Sequence, residues 1–114
     1  MTLREKQSLF VVLVADLIRH ATAEGYALTF GEAYRSPEEA ARLASLGAGI
    51  AKSLHTQRLA VDLNLFKDGA YLTTTEAHRP LGEWWEQQHE LCRWGGRFRR
   101  PDGNHYSLEH EGRK

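Results

Sequence analysis

Cysteine is nearly missing from this sequence of 114 residues. Cys92 stands alone, so no internal disulfide can form, and the chain suits synthesis in a reducing compartment. Set between Leu91 and Trp94, it reads as a small buried hydrophobe rather than a nucleophile. Net charge is missing too. The 15 basic and 15 acidic side chains cancel, which removes the electrostatic argument for a nucleic-acid partner or a membrane surface. The one basic cluster, Arg97, Arg99 and Arg100, reads as a solvated loop, the alternative being a patch that attracts an acidic substrate. No long apolar run exists either. Leu9–Leu17 is interrupted by Asp16, is too short to span a bilayer and precedes no small-residue cleavage site, so neither membrane insertion nor a signal peptide is expected. Repeats and low-complexity segments are absent, and the length suits one domain, residues 1–114.

What is present centres on Ser53–Asn64. Leu59–Phe66 alternates as a β-strand, with Val61, Leu63 and Leu65 on one face and Ala60, Asp62 and Asn64 on the other. A carboxylate in such a strand is costly to bury without a positive partner. A metal ion with His55 as a second ligand would provide one, and zinc takes imidazole and carboxylate together, with three protein ligands in catalytic sites. The third ligand is best sought in Asp102–Tyr106. The plainer alternative is an edge-strand aspartate with a surface histidine. For Arg35 the alternatives are a surface ion pair and an anion clamp, since its guanidinium fork suits carboxylates.

The other elements follow from periodicity and capping. Residues 4–24 predict a helix, with Phe10, Val14, Leu17 and Ala21 in a stripe widened by Val11 and Ile18. Tyr26–Phe30 alternates as a short strand. Ser36, Pro37 and Glu39 open a helix to about Leu46 with a capping box, Leu43 and Leu46 facing inward. Asp68-Gly69 predicts a hairpin turn. A helix over about Glu76–Leu91 follows, with a break or late start at Pro80, and Trp84 and Trp85 read as core plus cleft wall. Trp94-Gly95-Gly96 reads as a turn feeding a strand, His105–Leu108 as a last strand, and the tail from Glu109 as frayed. His78 is expected to cap or pair near Glu76, and His20, His89 and His110 to lie outside any site.

Three pieces carry a family resemblance. Ser53-x-His55-x-x-Arg58-x-Ala60-x-Asp62 resembles the Ser-x-His-x-x-Gly-x-Ala-x-Asp signature of the LAS-type zinc peptidases, which include D-Ala-D-Ala carboxypeptidases and the L-alanyl-D-glutamate endopeptidases of phage endolysins. Tyr34-Arg35-Ser36 resembles the segment ahead of that motif, and Trp94-Gly95-Gly96 with Asp102-x-x-His105-Tyr106 resembles the closing block of the endolysin branch. The resemblance implies Zn²⁺ held by His55, Asp62 and His105. It implies Asp102 as general base and acid, Arg35 on the substrate carbonyl or carboxylate, and Ser53 as a substrate or supporting contact. It also implies a hedgehog/DD-peptidase-like fold. Three departures stand out. Arg58 replaces the family glycine, where it could add a substrate contact. Ser107 replaces an acidic or amide residue, and the helix after Arg35 lacks a glutamine.

The expected fold is α+β: a small antiparallel sheet, two main helices packed on it, and zinc at one end of the central strand. The expected activity is zinc-dependent cleavage of bacterial peptidoglycan stem peptides, at the L-Ala–D-Glu bond. The protein is expected to act as a monomer, made in the cytoplasm as a phage or prophage product and acting on the wall after release. The alternatives are a D-Ala-D-Ala carboxypeptidase, a non-catalytic zinc-containing wall-binding or virion module, and a metal-free scaffold with Asp62 paired to Arg35.

Overall fold

The computed structural model, which describes residues 1–114, has three α-helices interspersed with five strands. They run α1 (Leu3–Ala23), β1 (Ala27–Phe30), α2 (Pro37–Ser45), β2 (Ala60–Lys67), β3 (Ala70–Leu72), α3 (Thr75–Glu86), β4 (Cys92–Trp94) and β5 (His105–Leu108). All strand pairs are antiparallel. β2 is the hub. Leu65 pairs with Leu28 on one side and Leu72 on the other, so β1 and β3 flank opposite edges. Further back along β2, residues 60–62 pair with β5, which in turn pairs with β4. The expected α+β architecture is the observed one.

The period-2 alternation of β2 works as physics requires. Val61, Leu63 and Leu65 enter one core with Tyr106 and Leu108 of β5, Phe10, Leu13 and Leu17 of α1, and Leu81 and Trp85 of α3. Asp62 and Asn64 face away from it, half-buried. β2 and β3 join through Asp68 and Gly69, both at positive φ (51° and 80°), the paired conformation that a tight hairpin demands.

α1 opens with a complete capping box: Thr2 Oγ1 accepts from the Glu5 amide at 3.1 Å, and Glu5 Oε1 accepts from the Thr2 amide at 2.8 Å. Its buried stripe is Phe10, Leu13, Leu17 and Ala21; Val11 faces solvent, so the stripe lies on the Leu13 side of the predicted one. α2 starts as predicted, with Ser36 Oγ accepting from the Glu39 amide at 3.1 Å. The box is only half made, because the Glu39 carboxylate turns to Arg42 instead. Ala40, not Leu43 or Leu46, is the residue α2 buries, and Leu46 is 67% exposed.

α3 corrects the sequence reading most. Thr74 caps it, and it runs unbroken through Pro80. The missing Pro80 amide forfeits a bond toward Glu76, a penalty of about 3 kcal/mol. Burial of Leu81 and Trp85 offsets this at about 1.5–3 kcal/mol per large apolar side chain. The helix ends at Glu86 rather than near Leu91, because Cys92–Trp94 is taken by β5 as strand β4. The tail is also ordered: His110 and Arg113 form a bridge, and Glu109 pairs with Arg93 at 3.2 Å. No helix is long and apolar enough to cross a membrane.

Candidate metal centre

Asp62 and His105 are direct partners across the β2–β5 ladder. Opposed residues project to the same side of a sheet, so register alone brings a carboxylate and an imidazole together on the face away from the core. His55 arrives from a single 3-10 turn, Leu54–Gln57, just before β2. Ser53 caps that turn, its Oγ accepting from the His55 amide at 3.2 Å. Arg58 ends it in the left-handed conformation, φ 56° and ψ 36°, and turns the chain into β2.

That conformation explains the family glycine at this position, since glycine adopts it without steric cost. It also corrects the expectation for Arg58. Its guanidinium lies 4.1 Å from the centre of the Tyr34 ring, beside an apolar hollow formed with Phe10, Val14 and Val61, and not in the cleft with the other candidates.

His55 Nε2 is 3.3 Å from Asp62 Oδ1, and His105 Nδ1 is 3.5 Å from the same oxygen. The three donor atoms lie within 4.8 Å of one another. Neither contact has hydrogen-bond geometry, so Asp62 Oδ1 is buried without a partner. His55 Nδ1 is 2.8 Å from the Ala33 carbonyl, which can only accept. Nδ1 therefore carries the hydrogen, and in the neutral ring Nε2 turns a lone pair toward the carboxylate. Two acceptors facing each other need a proton or a cation between them. Burial opposes charge on His55, but Asp62, the Ala33 carbonyl and Glu32 outweigh it and raise its pKa. Burial likewise opposes charge on Asp62, yet the two imidazoles hold its carboxyl down at about 2.

The donor set fits zinc. Bonds of about 2.0–2.2 Å at tetrahedral angles place ligand atoms about 3.3–3.6 Å apart, matching both contacts to Oδ1. The Ala33 carbonyl on Nδ1 is the kind of outer contact that fixes a ligand imidazole's tautomer.

Asp102 precedes β5 on a turn closed by the His105 amide on the Asp102 carbonyl at 3.1 Å. Its Oδ2 lies 3.9 Å from His105 Nδ1, and burial raises its pKa even against the charge of His105. Gly95 makes this packing possible. A Cβ there would sit 2.1 Å from the Asp102 carbonyl oxygen and 2.8 Å from His105 Cβ.

Arg35 reaches the same cleft, held by an ion pair to Glu32, while its amide donates to the His55 carbonyl at 3.1 Å. Asp62 forms no ion pair with Arg35, so the structure does not take the metal-free pairing considered from sequence. The cleft holds about 560 Å³ and is lined by Arg35, Ser53, His55, Asp62, Asp102 and His105 among others.

The remaining histidines lie elsewhere. His78 is buried, its Nδ1 2.9 Å from the Tyr106 hydroxyl, rather than paired near Glu76. Its helical spacing with Leu81 and Trp85 is the signal that points to this. Trp84 stacks on His20 with centroids 4.1 Å apart and takes no part in the cleft wall, and His110 contacts Lys6.

A family profile described as D-alanyl-D-alanine carboxypeptidase matches residues 47–108, more than half of the chain. The protein belongs to this peptidase family. The matched span includes Ser53, His55, Asp62, Asp102 and His105, while Arg35 precedes it. The fold is similar to that of the L-Ala D-Glu endopeptidase ChiX of Serratia marcescens, with a TM-score of 0.73 and 18% identity, covering 88% of this chain and 77% of that one. Among curated proteins no relative matches the chain.

Proposed function

We propose that the protein is a zinc-dependent peptidase that cuts bacterial peptidoglycan stem peptides at the L-Ala–D-Glu bond. The observation that carries this reading is the facing pair of acceptors, His55 Nε2 and Asp62 Oδ1, with His105 Nδ1 on the same oxygen. His55, Asp62 and His105 would hold the ion. When bound, zinc supplies Lewis-acid chemistry that polarises a carbonyl and lowers the pKa of water to about 7.

Asp102 is the proton carrier. Its oxygens border the cleft beside His105 without joining the three donors. As general base, Asp102 Oδ2 accepts a proton from the attacking water. As general acid, it returns that proton to the departing amide nitrogen. Its raised pKa suits a group that must both take and give a proton. Arg35 offers guanidinium hydrogens where negative charge grows on the substrate carbonyl oxygen. Ser53 supports His55 from below through its amide.

A second reading, D-Ala-D-Ala carboxypeptidase, is favoured by the description of the family profile. One experiment separates the two. Purified peptidoglycan is digested with and without a chelator, and the products are read by mass spectrometry. The proposal expects free L-Ala ends and released D-Glu-led peptides, abolished by chelator and restored by zinc. Release of D-Ala alone transfers the assignment to the carboxypeptidase reading. Bound zinc without any product leaves a non-catalytic wall module.

A further inference from the structure

We infer that Lys52, Arg100 and Arg113 form an anion subsite on one side of the cleft, which selects stem peptides with free carboxylates over the same peptides with those groups amidated. The inference rests on the peptidase reading above and names the charge state of its substrate.

The protein as a whole is neutral, so a local excess of one sign needs its own explanation. The cleft has such an excess. Arg35, Lys52, Arg100, Arg113 and Lys114 line it, against Asp62 and Asp102, and only Arg35 among the five is in a close ion pair, with Glu32. A zinc ion at the three donors would consume the Asp62 charge and deepen the imbalance.

Elsewhere the arginines are largely spent on acids. Arg42 pairs with Glu39, Arg79 with Glu76, Arg93 with Glu109, and Arg97 with Glu83 and Glu86. Lys52 and Arg100 have no acid within ion-pair distance. Arg113 meets only the exposed carboxylate of Glu111, at 3.7 Å. Unspent cations gathered around one concave surface are built for an anion that comes from outside.

The backbone brings two of the three close together. Arg113 is held by the bridge to His110, and its Nη1 donates to the Lys52 carbonyl at 3.5 Å, tying the tail to the loop that carries Lys52. Arg100 comes from the loop that delivers Asp102, two residues on. Around the cleft the charge is uneven: a hollow that shares Phe98 and Lys114 with it is lined by Arg93, Arg97 and Arg99, of which Arg93 and Arg97 are paired with acids. A neighbouring hollow of about 220 Å³, which shares Pro101 and Asp102 with the cleft, is lined by Asn64, Thr73, Thr75 and Asn104 and contains no lysine or arginine.

A stem peptide brings the matching chemistry. Its D-Glu and diamino-acid residues carry carboxylates that guanidinium and ammonium groups bind directly, and amidation replaces each charge with a neutral group. Amidated peptide would leave these cations without a counter-charge.

The test uses the full chain loaded with zinc and two synthetic N-acylated stem tetrapeptides, identical except that the carboxylates are free or amidated. Both kcat/KM and equilibrium binding by fluorescence anisotropy are measured. The free-acid peptide is expected to be favoured by about tenfold or more, a preference that shrinks as salt is raised. The triple variant Lys52→Gln, Arg100→Gln, Arg113→Gln is expected to bring the ratio close to unity. The charge-conserving variant Lys52→Arg, Arg100→Lys, Arg113→Lys should keep the preference, which guards against a folding defect. Equal use of both peptides by the native protein overturns the subsite, as does a preference that survives in the glutamine variant. If neither peptide is cut, the peptidase reading fails, and the binding ratio still decides the subsite by the same outcomes.

Discussion

The two faces of the β2–β5 pair are made by alternate residues of the same strands, yet they differ in how completely their polar atoms are satisfied. On the core face, Val61, Leu63, Leu65, Tyr106 and Leu108 are covered by α1 and α3. Its polar groups are answered: Trp85 Nε1 donates to the Arg93 and Ser107 carbonyls, and the Tyr106 hydroxyl meets His78. The opposite face carries Asp62 and His105, with the 3-10 turns Leu54–Gln57 and Gly95–Arg97 beside it. It holds every buried side-chain polar atom that lacks a partner: Asp62 Oδ1, His105 Nε2 and Ser107 Oγ. Buried orphans are rare in folded proteins and each calls for a reason. Their confinement to one face fits the proposed division, with stability on one set of alternate positions and the candidate site on the other.

Substitutions on the two faces should therefore fail differently. The largest effect is expected from Asp102→Asn, which keeps the shape but cannot take a proton. Turnover should fall by about 10²–10⁴-fold while zinc content and unfolding midpoint stay near those of the native protein, checked by steady-state kinetics, metal analysis and urea titration. Unchanged turnover would remove Asp102 from the reaction. On the core face, Leu65→Ala should lower the unfolding free energy by about 2–5 kcal/mol, read from urea titration, because Leu65 is fully buried. The fraction that remains folded should keep its zinc affinity. Loss of zinc affinity ahead of unfolding would break the division between faces.

The smallest effect concerns pH. Burial lowers the His78 pKa below its ordinary value of 6.5. The unfolded chain then binds more protons than the native one, so this group's stabilisation is full above about pH 6.5 and is lost as pH falls toward the folded pKa. Urea titrations between about pH 5 and 8 should show a decline on the acid side that is flatter in His78→Gln. An equal slope in both proteins would mean that the ring charges freely in the native state.

Much of the fold is legible in local stretches of the chain. The capping residues Thr74 and Ser36, the Asp68-Gly69 hairpin and the apolar phase of β2 are local signals, and each acts within a few residues. The closing strand His105–Leu108 is legible on the same grounds. Strand β4 is not, because Cys92–Trp94 alternates over too few residues and exists through its partner β5. The length of α3 depends on that same pairing. Arg58 looks like a cleft residue because it stands close to His55 in sequence, whereas a left-handed turn throws its side chain toward Tyr34. The cationic side of the cleft is legible only in part: Arg100 falls in the basic cluster of the sequence, whereas Lys52 and Arg113 stand far from it along the chain.

By itself, the sequence determined which residues could serve as ligands and which strand would carry the carboxylate, because side-chain chemistry and period-2 alternation are properties of the chain read locally. Only the tertiary structure decided that Asp62 and His105 would stand in register, that His55 would be turned by the Ala33 carbonyl to face them, and that the tail would bring Arg113 to Lys52. The physical reason is that ladder register and loop closure are set by packing between distant segments, which no local pattern of residues encodes.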